Sequence, residues 1–198
     1  MSRQTQTMII DTHTHLFTPD IVRDREKYFT DTGFAALYRK PGSKIISEDE
    51  LLSAMDAGGI DCSVVMGFPW GRREFTDRQN SYFGELPGKT GHRLLPFGAV
   101  HVNDAEGGES IADQVTAIKK QGLYGIGEVA FYGGDGGVFS RVMDALLGAA
   151  VREKLPVCLH VNEPLGHPYP GKYGTDFTEL YRLIEKHPEV DIVLAHWG

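Results

Sequence analysis

The stretch Met8-Ile9-Ile10-Asp11-Thr12-His13-Thr14-His15 joins a short apolar run to two histidines spaced two residues apart. In a β-strand, residues i and i+2 point to the same face. We therefore expect a first strand over residues 8–11, with His13 and His15 directed at one point near its C-terminal end. Imidazole is the commonest metal-binding side chain, and a zinc site often contains two or three of them. The stretch therefore predicts a metal site.

Three later apolar runs also end in a side chain that can bind metal or transfer a proton. Glu128 ends the first of these runs, His160 the second and His196 the third. Taken alone, Glu128 could cap a loop, His160 could be a hydrogen-bonded core histidine, and His196 could be a disordered residue near the terminus. Their shared placement at strand ends favours a metal-dependent enzyme.

Apolar runs and helical patterns alternate along the chain. The runs predict six strands, over residues 8–11, 60–68, 94–100, 124–129, 156–160 and 191–195. Residues 12–44 are polar with scattered aromatics, which predicts a long loop or a short insert. The clearest helix start is the capping box formed by Ser47 and Glu50. This alternation is typical of an α/β fold with a parallel sheet, and functional groups at several strand ends favour a (β/α)8 TIM barrel.

The chain is short for such a barrel, which needs eight strands and typically about 250 residues. We therefore interpret residues 1–198 as a single barrel domain with about six βα units, truncated before strands seven and eight. The alternative is an open barrel that another chain completes, for example in a homo-oligomer. Open strand edges offer unpaired backbone groups, so an isolated monomer is expected to be unstable.

Composition narrows the function classes. A net charge of −7 argues against binding to the nucleic-acid backbone, which needs a basic footprint. No apolar run approaches the ~20 residues of a membrane span, and the polar N-terminus lacks a signal peptide. The two cysteines, Cys62 and Cys158, lie in apolar strand-like runs and are expected to be reduced core thiols. We therefore expect a cytoplasmic protein without disulfides.

The motifs Asp11-Thr12-His13-Thr14-His15, Gly127-Glu128, Leu159-His160 and Ala195-His196-Trp197-Gly198 together resemble the amidohydrolase superfamily of metal-dependent hydrolases. The order and spacing are most similar to the branch with amidohydrolase-related proteins, aminocarboxymuconate semialdehyde decarboxylase and TatD-like hydrolases. The resemblance implies that His13 and His15 bind the first metal. It implies that Glu128 occupies the strand-four position, where TatD-like members have a carboxylate bridging two metals and other branches have a modified lysine. It implies that His160 and His196 are ligands, or a ligand and a catalytic acid. It also implies a strand-eight aspartate, for which this sequence has no counterpart.

These observations give one leading hypothesis and two alternatives. We expect His13, His15, Glu128 and His160 to hold one or two ions, with His196 and Glu128 acting in catalysis. Imidazole and carboxylate donors suit zinc, and manganese or iron also fit. The leading hypothesis is a hydrolase that uses metal-activated water on a C–N, C–O or phosphoester bond. A decarboxylase of the aminocarboxymuconate semialdehyde type and a truncated, catalytically inactive metal-binding protein are the alternatives.

The loop over residues 69–73 bears on the substrate. It follows the second strand and contains Trp70, Arg72 and Arg73, which could lie over the site. Arginine favours carboxylate and phosphate groups through its planar guanidinium. The loop therefore predicts a small-molecule substrate that is acidic or phosphorylated.

Overall fold

A single sheet of six parallel strands organises the chain. The computed structural model describes residues 7–102, 110–130, 136–162 and 174–197. The strands are β1 (Ile10–His15), β2 (Cys62–Met66), β3 (Leu94–Gly98), β4 (Gly125–Val129), β5 (Val157–Leu159) and β6 (Ile192–Leu194). They lie side by side in sequence order, and every neighbouring pair is parallel. The sheet curls into an incomplete (β/α) barrel, which confirms the predicted fold class.

Helices connect successive strands. They are α1 (Pro19–Arg23), α2 (Thr32–Tyr38), α3 (Glu48–Gly58), α4 (Arg73–Lys89), α5 (Ile111–Lys120), α6 (Gly136–Glu153) and α7 (Phe177–Lys186). The capping box at Ser47 and Glu50 is confirmed at the start of α3, and Gly59 ends that helix with a φ of 66°. Within the part of the chain that the structure describes, no helix has both the length and the apolar character of a membrane span.

The first strand differs from its predicted bounds. Met8 and Ile9 are exposed and precede the strand, whereas pairing with β2 continues through Thr14 and His15. The apolar run that suggested residues 8–11 is therefore only the approach to β1. Backbone pairing, rather than side-chain hydrophobicity, carries the strand through the two histidines.

The main core lies between the sheet and the helices that cover it. Strands contribute Leu94, Ile126 and Val157, and helices contribute Phe83 and Leu146, all of them fully buried. Both faces of the middle strands are covered, which is why those strands are nearly continuous apolar runs in the sequence. This core fixes the relative positions of the strand ends that carry the candidate functional residues.

The prediction of a loop or short insert over residues 12–44 is incomplete, because this stretch folds around a core of its own. It contains α1, α2 and a 3-10 turn at Arg25–Tyr28. We define the aromatic cluster by its buried members Phe17, Ile21, Tyr28, Phe34, Ile45, Phe68 and Trp70. Phe34 lies at its centre. The centroid of its ring is 4.9 Å from that of Trp70 and 5.5 Å from that of Phe68. The cluster joins the segments that follow β1 and β2.

We predict that Phe34→Ala will lower the free energy of unfolding by about 3–5 kcal/mol, because the truncation leaves a cavity among packed rings. Phe177→Ala is the matched control, since Phe177 is 41% exposed whereas Phe34 is 0% exposed. The control should change stability by less than about 0.5 kcal/mol. Urea unfolding of both variants checks this, and equal effects would contradict the assignment of a second core.

Candidate metal centre

Strand β1 brings His13 and His15 together. Their Nε2 atoms lie 3.1 Å apart, as the two-residue spacing predicts. The pairing register with β2 advances three residues on β1, from Asp11 to Thr14, while β2 advances from Ser63 to Val65. Such one-residue irregularities are common beside functional sites, where they redirect a side chain. At this irregularity the Asp11 carboxylate accepts a hydrogen bond from the His13 N–H, at 3.1 Å.

Glu128 stands between the histidines, and its two oxygens face different pairs of rings. Oε2 lies 3.8 Å from His13 Nε2 and 3.4 Å from His15 Nε2. Oε1 lies 2.9 Å from His160 Nδ1 and 3.5 Å from His196 Nε2. One carboxylate therefore joins four strand ends.

The Glu128 carboxyl is ionised despite being buried, with only 9% of its side chain exposed. Burial alone would raise its pKa. Hydrogen bonds with His15 and His160, together with the charges of these two rings, reverse that effect and hold the pKa well below its usual range. Burial also lowers the pKa of His13. A divalent cation that replaced the protons on these rings would meet a carboxylate that is already ionised.

Gly127 allows Glu128 to occupy this position. Its φ of 142° is a conformation that residues with a side chain rarely adopt, and a Cβ there would lie 2.7 Å from the carbonyl oxygen of Cys158. The register between β4 and β5 is also irregular here, between Ile126 and Val129. Close approach of the two strands therefore depends on the glycine that precedes the carboxylate.

His160 and His196 complete the arrangement from β5 and β6. His196 Nε2 lies 3.2 Å from His160 Nδ1. The backbone of His196 adopts φ 58° and ψ 33°, a left-handed conformation that is uncommon outside glycine and often found at functional sites. The His196 side chain is 52% exposed, against 15% for His160. His196 is therefore the member of the arrangement that is most accessible to a ligand.

These side chains form two groups of three donors that share Glu128. In each group the ligand atoms lie within 4.8 Å of one another: His13, His15 and Glu128 in the first, and Glu128, His160 and His196 in the second. Donors about 2.1 Å from a tetrahedral zinc ion lie roughly 3.4 Å apart. The separations of 3.1 to 3.8 Å in the first group and 2.9 to 3.5 Å in the second bracket this value. The donor set therefore fits a divalent cation.

The structure adds Tyr38, at the end of α2, to the surroundings of this centre. Its ring packs 5.1 Å from that of Phe17, two residues beyond His15. Burial raises the pKa of the Tyr38 phenol, and the charge of Glu128 raises it further. The same two causes raise the pKa of the Cys158 thiol to about 12. Nothing in the sequence singled out Tyr38, because its position depends on packing within the aromatic cluster.

The side chains of the loop over residues 69–73 make local contacts. Trp70 is buried in the aromatic cluster, and its Nε1 donates to Gln79. Arg72 pairs with Glu74, and Arg73 pairs with Asp77 along the first turns of α4. His101, which follows β3, is buried and belongs to neither donor group among the described residues.

Comparison with known protein families assigns the chain to one of them. The sequence profile of the Amidohydrolase family matches residues 10–198. The chain belongs to this family. The predicted resemblance to amidohydrolases is thereby confirmed. No curated protein matches the chain.

Several solved enzyme structures share the fold of this chain. A 5-carboxyvanillate decarboxylase from Novosphingobium aromaticivorans, with bound manganese, has a TM-score of 0.70 and 20% identity, covering 96% of this chain and 66% of that chain. A 2,6-dihydroxybenzoate decarboxylase from Rhizobium has a TM-score of 0.64 and 20% identity, covering 98% and 67%. A candidate 2-pyrone-4,6-dicarboxylic acid hydrolase from Pseudomonas putida has a TM-score of 0.55 and 15% identity, covering 96% and 57%. This amidohydrolase chain thus spans about two thirds of the length of the two decarboxylases.

We predict that replacing both His13 and His15 by alanine will remove at least one equivalent of bound metal. The reason is that their two Nε2 atoms supply most of one donor group. His187→Ala is the control, because His187 lies outside both groups and pairs with Asp144. Elemental analysis of protein purified without chelator measures the stoichiometry. Wild-type metal content in the double variant would place the site elsewhere.

We further predict that Glu128→Gln will fold but bind less metal. Glutamine keeps the size of the side chain while removing the charge that both donor groups share, so a cation loses its anionic ligand. Glu153→Gln is a structural control, because Glu153 accepts a hydrogen bond from Thr116 away from the centre. Circular dichroism checks folding and elemental analysis checks metal. Full metal content in Glu128→Gln would show that the carboxylate has a structural role alone.

Proposed function

We propose that this chain carries the metal centre of a hydrolase that cleaves a C–N, C–O or phosphoester bond in a small molecule. The main support is Glu128, whose two oxygens face two different pairs of histidines. A carboxylate in that position suits two cations better than one. His13, His15 and Glu128 would hold the first ion, and Glu128 and His160 would supply donors to a second.

Zinc is the proposed ion, and manganese and iron suit the same donors. Manganese is the ion in the 5-carboxyvanillate decarboxylase structure described above. When bound, such an ion supplies Lewis acidity that activates water and polarises a carbonyl or phosphoryl oxygen. The residues of this chain contribute the remaining parts of the reaction, which are orientation, charge and proton transfer.

Glu128 provides fixed negative charge at the centre, and its low pKa keeps that charge at neutral and mildly acidic pH. His196 is proposed as the catalytic residue that moves a proton, through its Nε2 atom. That atom lies 3.5 Å from Glu128 Oε1, and half of the side chain is open to an incoming molecule. Histidine suits this role because its pKa lies near neutral pH.

The substrate is proposed to be a small carboxylate or phosphate ester rather than a neutral molecule. Since Arg72 and Arg73 are paired with acidic neighbours, the bound cations would be the main attraction for an anion. Tyr38, which lies within reach of the Glu128 charge, would offer an aromatic surface beside the anionic group. Both decarboxylases described above are named for carboxylated aromatic substrates, which supports an acidic substrate with a ring.

Decarboxylation is the second candidate, and it is favoured by the names of those two structures. At 20% identity this likeness shows a common fold, so the choice between the two reactions depends on experiment. The two reactions differ in a measurable way, because hydrolysis places an oxygen atom from water in a product whereas decarboxylation releases carbon dioxide.

We predict that the zinc- or manganese-loaded protein will hydrolyse at least one member of a panel of phosphoesters, lactones and amides that carry a carboxylate. In ¹⁸O-labelled water, one product should gain a single labelled oxygen. Carbon dioxide released from aromatic acids without turnover of the panel would favour the decarboxylase. Bound metal with neither activity would favour an inactive metal-binding protein.

The same assay tests His196. The variant His196→Asn should retain the metal bound by His13 and His15. Its turnover should fall by about 10²- to 10⁴-fold, because the proton-transferring group is lost. His187→Asn is the control, since His187 contacts Asp144 rather than the centre. Unchanged turnover in His196→Asn would remove His196 from the mechanism.

A further inference from the structure

The ring of His160 is held from both sides by different groups. Its Nδ1 faces the centre, 2.9 Å from Glu128 Oε1 and 3.2 Å from His196 Nε2. Its Nε2 points away from the centre and lies 3.1 Å from Oδ1 of Asn162. The two nitrogens therefore have different neighbours: Nδ1 faces candidate metal ligands, and Nε2 faces a side-chain amide.

The amide oxygen of Asn162 favours a proton on Nε2 of the His160 ring. A carboxamide oxygen only accepts hydrogen bonds, so the contact requires a hydrogen on His160 Nε2. A bound cation can then replace the Nδ1 hydrogen that donates to Glu128 Oε1, and the neutral ring offers the cation its Nδ1 lone pair. The opposite tautomer would keep its hydrogen on Nδ1 and place its lone pair on Nε2, on the side of the ring away from the centre. The amide oxygen thus favours the tautomer in which His160 can be a ligand.

Asn162 is itself fixed in place. Its side chain is buried, with 4% of the residue exposed. Its backbone N–H donates to Oγ1 of Thr175, at 2.9 Å. Thr175 is followed by Asp176, which caps α7 by accepting a hydrogen bond from the Glu179 N–H. The start of α7 therefore anchors the residue that contacts the second nitrogen of His160.

We propose that Asn162 is a positioning residue that keeps His160 in the Nε2–H tautomer and so presents Nδ1 to a divalent cation. This inference rests on the metal centre proposed above and adds a residue from outside its donor set. Partners that orient a metal-binding histidine through its other nitrogen typically change metal affinity 10- to 100-fold when they are removed. The spacing of two residues places Asn162 and His160 on the same side of an extended chain.

Two substitutions at residue 162 separate orientation from packing. Asn162→Leu has nearly the same shape but no acceptor, and it should weaken binding of Zn²⁺ by about 10- to 100-fold. Asn162→Asp keeps an oxygen that accepts from His160 Nε2, and it should bind Zn²⁺ within a few-fold of wild type. Competition with a chromophoric chelator measures affinity, and the absorption spectrum of the Co²⁺-loaded protein reports on the ligand geometry.

Asn80→Leu is the matched control for loss of a buried amide. Asn80 is 7% exposed and hydrogen-bonds only to the backbone of Ala99 among the described contacts. It should lower thermal stability without changing Zn²⁺ affinity or the Co²⁺ spectrum. Equal Zn²⁺ affinity in wild type, Asn162→Leu and Asn162→Asp would overturn the proposal, and so would equal weakening in both variants at residue 162.

The tautomer can also be observed directly, in case Asn162→Leu does not fold. Long-range ¹H–¹⁵N spectra of Zn²⁺-loaded wild-type protein with labelled histidine distinguish a proton on Nε2 from one on Nδ1. A proton on Nε2 of His160 is expected, and a proton on Nδ1 alone would overturn the proposal. If wild type binds no Zn²⁺, the metal centre fails as a whole. If wild type binds Zn²⁺ and the variants match it, only the role of Asn162 fails.

Discussion

The carboxylate of Glu128 is the interaction on which the centre depends. Four imidazoles from the ends of three other strands lie within 3.8 Å of its oxygens. Burying a charge is costly unless hydrogen bonds and opposite charges compensate. The low pKa of this carboxyl shows that the surrounding rings provide that compensation. The strand ends are therefore tied together by charge as well as by backbone pairing.

The backbone supports this arrangement through local irregularities rather than through regular strands. The register changes at residues 11–14 of β1 and at residues 126–129 of β4, and these are the segments that carry His13 and Glu128. Gly127 permits close contact with Cys158 on β5. A barrel core that is well packed beneath can tolerate such deviations at its rim, because the buried side chains hold the strands in place.

Much of the fold and of the donor set follows from the sequence, since both depend on local patterns. Apolar runs placed the six strands, and a strand-end position drew attention to Glu128 and His160. Packing over long distances was not predictable in this way. The aromatic cluster brings Phe34 against Trp70, and Tyr38 comes near Glu128 through those contacts, although no local spacing relates these residues. Asn162 is an intermediate case, because its two-residue spacing from His160 was visible but a lone asparagine after a strand is usually part of a turn.

A carboxylate shared between two donor groups has a thermodynamic consequence. A cation at the group containing His13 and one at the group containing His160 would each draw on the negative charge of Glu128. Occupation of one position must then change the affinity of the other, and linkage requires the same factor in both directions. Competition for the charge would make the second ion bind more weakly than the first. The number of ions held by the protein would then vary with the concentration of free metal around it.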